Sequence, residues 1–560
     1  MVPEWLLLKK IMKINRKEYL FFGIIFLIGA TLRFYLLGKT SFWYDEASFC
    51  ISPELSLSSL SSLFQSVIEA KFPPFLTYGF IFTFIFLKIS TQELFLRLPS
   101  VLFSLSTIVL FYVFTRKYYE KKAALLGVFL LSLSPLDIYY SQEARMYTLL
   151  TFVIFLSFIF LSKALAEKKN RYWAGYAFFC LLAMYTHYIT IFVLLAQAVF
   201  IALNFKNLKG QISARWIFIM SVLAVCAIPF FVQLFNLAIF MLLYGERYNF
   251  GRVLSYLPKV GFANLFYTFK NLYFGYNLEK SMYLFFVPVF FIVFITGIIR
   301  LIKKEEFLKS SAVLLYAAYP LLVFMVSLRK VIYVDRHFLP SVPFLCIIMG
   351  YGLAWFYNKK RLIFYLLFLA FISVISAGLF NYYRGYLPGS PAEHIGVQAK
   401  GDFRSAAQYI SVNFKEGDVV IHTCDNTIYP FIYYFKKCGI EHKNRFYVEL
   451  KEGDSVFFEK KILGLEFRNN SVFYDSEKRK AFKGEMRLID EDPGVDSGVI
   501  LNGHGRIWLV VSDWEFPNLC FSEHKKIDNN GIRAQDWFSR KFTLKKYKEF
   551  RGSSILLFDK

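Results

Sequence analysis

The chain has 560 residues, of which 56% are hydrophobic and 20% are aromatic, and its formal net charge is +24. This composition is too apolar for a soluble enzyme of that size, and no nucleic-acid recognition motif accompanies the positive charge, so both classes are excluded. The residues from position 381 onward carry 28 basic and 25 acidic side chains, and most of the excess charge therefore lies before them.

Hydrophobic stretches recur through the first two-thirds of the chain, and a bilayer core needs about 20 apolar residues per helix. We predict eleven spanning helices, at about 19–37, 97–115, 123–140, 146–163, 172–186, 188–204, 215–236, 281–301, 311–328, 338–356 and 362–380. A further apolar segment, 74–90, follows Pro73-Pro74. We interpret it as an interfacial or re-entrant helix, because a span there would place the basic loops on the outer side.

Basic residues before the first span predict a cytoplasmic N-terminus. With eleven spans the tail is then extracytoplasmic. In the tail, the patterns predict a helix at Asp402–Asn413 and strands at Asp418–His422, Arg506–Ser512 and Ser554–Phe558. The predicted architecture is a polytopic α-helical membrane domain over 1–380, followed by a soluble α/β domain over 381–560. No nucleotide-binding motif occurs in the tail.

Three carboxylates are candidate catalytic groups. Asp45 and Glu46 follow the first span beside aromatic residues, where partial desolvation would raise the basicity of a carboxylate. Glu143 lies where the third span ends, close to Arg145. The alternatives are a solvated loop for the first pair and a structural Glu-Arg pair for the second. The predicted topology places all of these residues on one outer face.

Basic residues on that same face oppose the usual charge distribution of membrane proteins. They suggest an anionic partner such as a lipid phosphate, and the candidates are Lys71, Arg145, Arg336 and His337. Ordinary binding of lipid headgroups is the competing interpretation.

His187 ends the fifth predicted span. It could contact the acceptor, carry a proton or bind a metal, and a divalent ion held by carboxylates and histidine is conceivable. Cys424 and Cys438 could form a disulfide in an oxidising compartment, which their spacing alone does not establish.

Six segments occur in an order that resembles a known superfamily: LRFYLLGKTSFWYDEASF, KFPPFLTY, RLPSVLFSLSTIVLF, LSPLDIYYSQEARMYTLL, MYTHYITIF and DRHFLPSVP. Together they resemble the GT-C superfamily of polyprenyl-phosphate-dependent glycosyltransferases. The nearest branch looks like the bacterial relatives of protein O-mannosyltransferases and of the lipid A aminoarabinose transferase. The tail segment GDFRSAAQYISVNFKEGDVVI is similar to the start of the periplasmic domain in many such proteins.

The resemblance implies transfer of a hexose or pentose from a polyprenyl-phosphate donor to a lipid, glycan or protein acceptor, usually with inversion. It further implies that Asp45 orients or deprotonates the acceptor hydroxyl. Glu143 and Arg145 match the second-loop motif, and Lys71 and Arg336 match basic positions near the donor phosphate. The chain departs from many relatives at His337, where they have Tyr, and at Lys71-Phe72, where they have Gly-His. The resemblance leaves metal dependence open.

Two other functional classes remain as alternatives. A transporter or flippase of lipid-linked glycans would carry ionisable residues near mid-bilayer on repeated, broken helices, and no internal repeat is evident. A non-catalytic cell-envelope assembly protein would use the tail as its working part, but eleven spans are far more than anchoring requires. The expected location is the inner, or cytoplasmic, membrane.

Overall fold

The computed structural model describes the following residues: 16–51, 77, 81, 86, 89–206, 212–244, 260–328, 332–389, 393, 397, 400–422, 425–439, 445–450, 456–459, 505–512, 535 and 538–559. Lys71, Cys424 and most of the 74–90 segment lie outside them, so the predictions on these residues stay untested. The chain divides into two compact units. The first comprises 1–37, 97–227 and 259–396, and the second comprises 38–96, 228–258 and 397–560.

Helices dominate the part of the chain that precedes the tail. In chain order they are α1 (Arg16–Phe34), α2 (Tyr44–Ile51), α3 (Glu93–Tyr118), α4 (Lys121–Ser132), α5 (Pro135–Ser141), α6 (Tyr147–Glu167), α7 (Asn170–Met184), α8 (Thr190–Leu203), α9 (Ala214–Tyr244), α10 (Phe262–Phe274), α11 (Lys280–Lys304), α12 (Phe307–Ser327), a 3₁₀ helix (Asp335–Ser341), α13 (Val342–Lys359) and α14 (Arg361–Tyr383).

Seven of the described helices are long and apolar enough to cross a bilayer, and the bent pair α4–α5 would make eight if it is one span. All eleven predicted spans coincide with helices, but the count of eleven is not confirmed. Helices α7 and α8 have 15 and 14 residues, short of the roughly 20 that a bilayer core needs. Helix α1 begins with Arg16, Lys17 and Glu18 and carries Arg33 near its end, which makes it too charged for an unambiguous span.

The helices of the first unit pack around α13. Its first turns and the preceding 3₁₀ helix are almost wholly buried, and glycines in α13 allow neighbouring backbones to approach closely. Apolar side chains remain exposed along the outer helices, such as Leu27 on α1, Phe285 on α11 and Leu366 on α14. Lipid tails would solvate such surfaces, as expected for a membrane protein.

A bend separates α4 from α5, and it determines where the following loop begins. Ser134 caps α5, accepting a hydrogen bond from the Asp137 amide at 3.4 Å, and Pro135 occupies the first turn, where its missing N–H costs nothing. The two helices meet at 48°.

The second unit contains an α/β arrangement. Helices α15 (Phe403–Asn413) and α16 (Asp425–Lys437) accompany a six-stranded sheet of order β3-β2-β1-β4-β6-β5. Its strands are β1 (Val419–His422), β2 (Arg445–Leu450), β3 (Val456–Glu459), β4 (Arg506–Val511), β5 (Thr543–Phe550) and β6 (Ser553–Asp559).

Strand β1 is central, running parallel to β2 and β4, whereas β6 pairs antiparallel with β4 and β5. Its Val419 and Ile421 pack with Leu509 and Phe558 in the core. The predicted tail helix and the three predicted strands are thus present to within one residue at each end. Whether this α/β part is a separate soluble domain beginning at 381 stays a prediction. Cys438 is a free thiol in the described chain.

Candidate active site

The predicted site residues fall into both units. Glu143, Arg145, His187, Arg336 and His337 belong to the first unit. Asp45 and Glu46 belong to the second unit, together with the tail. The roles predicted for all of them, and for Lys71, remain predictions.

Two histidines meet in the first unit. His187 lies in the short turn between α7 and α8, and His337 lies on the 3₁₀ helix that precedes α13. Their ring centroids are 4.8 Å apart, and the ring of Tyr147, at the start of α6, lies 6.0 Å from His187 and 6.4 Å from His337. All three side chains are buried. The fold therefore brings together residues separated by 150 positions in the sequence.

Two guanidinium groups border the histidine pair. Arg336 lies with its Cζ atom 5.9 Å from the centroid of the Tyr147 ring. Burial lowers the pKa of His187 well below its usual range, and the nearby His337, Arg145 and Arg336 lower it further. His187 is consequently neutral at physiological pH. Its Nδ1 accepts a hydrogen bond from the Ile189 amide at 3.1 Å, so the imidazole proton resides on Nε2.

Glu143 lies in the tight loop between α5 and α6. The side chain is buried, and the Glu143 carbonyl accepts a hydrogen bond from the Arg145 amide at 2.8 Å. Glu143 and Arg336 both lie close enough to Tyr140 to interact with it electrostatically. The acidic and basic candidates are thus neighbours around one tyrosine.

Gln142 anchors this loop to neighbouring helices. Its side-chain amide donates to the carbonyl oxygens of Arg33 at 3.0 Å and Tyr35 at 2.8 Å, and its Oε1 accepts from the Tyr382 hydroxyl at 2.8 Å. The adjacent Tyr140 shares a 2.8 Å hydrogen bond with Tyr276. These contacts hold Glu143 on a rigid support.

Tyr276 reaches Tyr140 because the chain turns sharply after α10. Gly275 adopts a φ of +74°, and a Cβ there would lie 2.7 Å from the Cβ of Pro135. Only glycine fits both the conformation and this close approach.

Asp45 and Glu46 lie in the first turn of α2. Asp45 is half-buried and Glu46 is fully buried. Helix α2 packs against α16 of the same unit: the Phe42 amide donates to the Tyr434 hydroxyl at 2.8 Å, and the rings of Tyr44 and Tyr429 lie 5.0 Å apart. The first loop and the tail thus form one unit.

Sequence analysis missed a buried polar cluster next to Arg336. Asp335 accepts hydrogen bonds from Thr268 at 2.7 Å and from Asn271 at 2.6 Å, and the charges of Lys270 and Asp335 interact. A signal was present, because the polar residues Asn264, Thr268 and Asn271 recur at the spacing of one helix face.

Arg33, near the end of the first predicted span, is part of a buried ion pair. It is fully buried and forms a 2.6 Å ion pair with Asp137. It also donates to Ser104 at 2.6 Å and to the Ser132 carbonyl at 2.8 Å. Arg33 therefore joins α1 to α3 and to the bend between α4 and α5.

Among the described residues, no group of three or more His, Cys, Asp or Glu side chains is arranged to hold a metal ion. The surroundings of His187 contain two arginines, whose positive charges would repel a cation.

Comparison with known proteins gives a family match over part of the chain and a similar fold. Residues 73–234 match the family model described as dolichyl-phosphate-mannose-protein mannosyltransferase. No curated protein sequence matches the chain.

Two similar solved structures are of ArnT from Cupriavidus metallidurans. The structure bound to undecaprenyl phosphate has a TM-score of 0.53 and 12% identity, covering 96% of this chain and 97% of ArnT. The apo structure has a TM-score of 0.50 and 13% identity with the same coverage. At this identity the likeness establishes the fold. The family match over 73–234 and this fold agree with the resemblance of the ordered motifs to the GT-C superfamily of polyprenyl-phosphate-dependent glycosyltransferases.

Proposed function

We propose that the chain transfers a hexose or pentose from a polyprenyl-phosphate donor to a lipid, glycan or protein acceptor on the extracytoplasmic face of the membrane, with inversion. The family match over 73–234 and the ArnT fold support transfer of a lipid-linked sugar. The ArnT structure that contains undecaprenyl phosphate supports a polyprenyl phosphate as the carrier of the donor.

The observation that carries this proposal is the group formed by the half-buried Arg336 and the buried Arg145, His187, His337 and Tyr147. A phosphate leaving group gains negative charge as the glycosidic bond breaks, and preorganised cations stabilise that charge most strongly where water is excluded. Arginine suits this task because its planar guanidinium donates two parallel hydrogen bonds to phosphate oxygens. A neutral His187 with its proton on Nε2 adds a donor without a further charge.

A general base is the second requirement of the reaction. On this proposal Asp45 accepts the proton of the acceptor hydroxyl, as the superfamily resemblance implies, and Glu46 and Glu143 orient the reacting groups. Lys71 contributes a further cation for the donor phosphate. Inversion follows when the acceptor attacks the anomeric carbon from the side opposite the departing phosphate.

The proposal is tested by transfer assays with the full chain in lipid nanodiscs. Radiolabelled polyprenyl-phosphate hexoses and pentoses are supplied with lipid, glycan and protein acceptors. We expect Arg336→Gln to lower transfer at least about 100-fold, the usual cost of removing one group that stabilises charge in the transition state. Asp45→Asn and Glu143→Gln are expected to lose transfer as well.

Arg361→Gln is the matched control, because Arg361 is an exposed arginine at the start of α14. It should transfer at the wild-type rate. Full transfer by folded Arg336→Gln would remove the assignment of the donor-phosphate site. If the wild-type chain moves a labelled lipid across the bilayer without releasing its sugar, the protein is a flippase and the enzymatic proposal is wrong.

A further inference from the structure

The polar cluster next to Arg336 has a structural purpose that the proposed chemistry does not use directly. We propose that Asp335 is a positioning residue that holds Arg336 and His337 in place through a buried clasp made of Thr268, Lys270, Asn271, Asp335 and Glu393. The consequence for catalysis rests on the proposed function, whereas the mechanical role of the clasp does not.

The Asp335 carboxylate is held through both of its oxygens. Oδ1 accepts a 2.7 Å hydrogen bond from the Thr268 hydroxyl, and Oδ2 accepts a 2.6 Å hydrogen bond from the Asn271 amide. Both donors lie on α10, which is distant from the 3₁₀ helix in the sequence. The two hydrogen bonds therefore tie these two elements together. Two bonds to two oxygens fix the rotation of the carboxylate as well as its position.

A second layer supports these donors. The Tyr333 hydroxyl donates to Thr268 Oγ1 at 2.8 Å, so the Thr268 proton is directed at Asp335. The Asn271 amide also donates to the Glu393 carbonyl at 2.8 Å, and the Glu393 carboxylate accepts from the Tyr283 hydroxyl at 2.6 Å. Residues from α10, α11, the 3₁₀ segment and the chain after α14 thus meet in the clasp.

The clasp contains one cation, Lys270, which faces the two acids Asp335 and Glu393. Lys270 is almost completely buried, its charge interacts with those of Asp335 and Glu393, and its ammonium lies 5.1 Å from the centroid of the Tyr283 ring. A buried charge is costly unless it is paired and hydrogen-bonded. Such an arrangement defines one geometry, because moving any member leaves a buried charge poorly compensated.

The 3₁₀ helix needs this external support. Short 3₁₀ helices have poorer internal hydrogen bonds than α-helices, and this one contains Pro340, which donates none. A second anchor acts on the other side, where the Tyr319 hydroxyl of α12 donates to the His337 carbonyl at 2.6 Å. Arg336 therefore lies between two fixed neighbours in sequence.

The position of the Arg336 side chain directly affects how it contacts the donor phosphate. A displacement of about 1 Å in a catalytic group can cost about 100-fold in rate. Loosening the clasp should therefore weaken the contact of Arg336 with the donor phosphate without removing any group that touches the substrate.

The test compares Thr268→Val with Thr268→Ser in the full-length chain. Valine has the shape of threonine but neither donates to Asp335 nor accepts from Tyr333, whereas serine keeps both contacts. We expect Thr268→Val to lower kcat about 10-fold, with the KM for the polyprenyl-phosphate donor changed by less than about 3-fold. Thr268→Ser should restore both parameters to within about 2-fold of wild type. Thr296→Val, the same substitution on α11 where the hydroxyl bonds only to the Ile292 carbonyl, is the control and should behave as wild type.

A measurement that needs no activity separates the two proposals. Amide hydrogen exchange across 332–341 should be faster in Thr268→Val than in wild type, and unchanged in Thr268→Ser and Thr296→Val. If the wild-type chain transfers no sugar but this exchange pattern appears, the proposed function fails and the clasp stands. If Thr268→Val leaves both exchange and kcat unaltered, or if serine fails to restore them, the positioning role of Asp335 is wrong.

Discussion

Two arginines of the first unit have different surroundings. Arg33 is fully buried, forms an ion pair with Asp137 and donates to Ser104. Arg336 is half-buried and lies beside the ring of Tyr147 and close to the neutral His187. At the scale of single residues, Arg33 therefore joins helices, whereas the proposed function gives Arg336 a role in binding.

Lys270 should give the reaction an alkaline limit. Burial lowers its pKa from about 10.5 to about 8, while the carboxylates of Asp335 and Glu393 act in the opposite direction. Above pH 8 Lys270 loses its proton, and the two acids that face it lose their cation. We expect kcat/KM for the donor to fall as pH rises through about 8.

Lys270→Arg tests this origin of the alkaline limit, because a guanidinium stays charged at every accessible pH. The descending limb should move above pH 10 in this variant. Rates are measured from pH 6 to pH 10.5 in nanodiscs, with Arg361→Gln as the control. A descending limb at the same pH in Lys270→Arg would show that another group causes it.

Interruptions of helices create the site at the scale of secondary-structure elements. The bend between α4 and α5 interrupts the apolar helix, and Ser134 caps the short helix α5 that follows it. The loop with Glu143 begins directly after α5. The 3₁₀ helix before α13 and the turn between α7 and α8 supply His337 and His187 in the same way. Uninterrupted helices could not turn these side chains toward one another.

Close packing of α13 against α4 should be essential for this arrangement. A Cβ on Gly350 would lie 2.3 Å from the Ala123 carbonyl oxygen, which is backbone and cannot rotate away. We expect Gly350→Ala to lower stability by about 1–3 kcal/mol, the usual cost of overpacking a core. The matched control is Gly23→Ala on α1, where a Cβ would meet nothing within 4 Å.

Thermal unfolding of the two purified alanine variants in detergent provides the measurement. Gly350→Ala should unfold several degrees below wild type, while Gly23→Ala should match it or unfold slightly higher, because alanine favours helix. Equal midpoints for both variants would mean that α4 and α13 separate at little cost.

The orientation of the whole molecule follows from the charge pattern and remains a prediction. Cysteines introduced into the 116–122 loop should resist a membrane-impermeant maleimide added to intact cells, because that loop is predicted to be cytoplasmic. Cysteines introduced into the tail at 402–560 should react. Labelling after lysis controls for accessibility, and reaction of the loop without the tail would contradict the eleven-span topology.

The sequence by itself determined the periodic and local features. Apolar runs located the predicted spans, alternation and turn residues located the tail helix and three of its strands, and the ordered motifs gave the resemblance to a superfamily. These predictions agree with the structure because helices in lipid and strands in a sheet form regular backbone hydrogen bonds. Such regular backbones produce a periodic pattern of side chains in the sequence.

Only the tertiary structure decided which polar residues are partners. His187 meets His337, Arg33 meets Asp137, and Thr268 meets Asp335 across separations of 67 to 150 positions. Sequence spacing carries no information on such pairs, because they depend on how bent helices pack and not on their periodicity. The association of α2 with the tail unit is equally a product of packing. The apolar composition thus predicted a membrane protein. The breaks in its helices determine which charged side chains meet, and only the tertiary structure shows them.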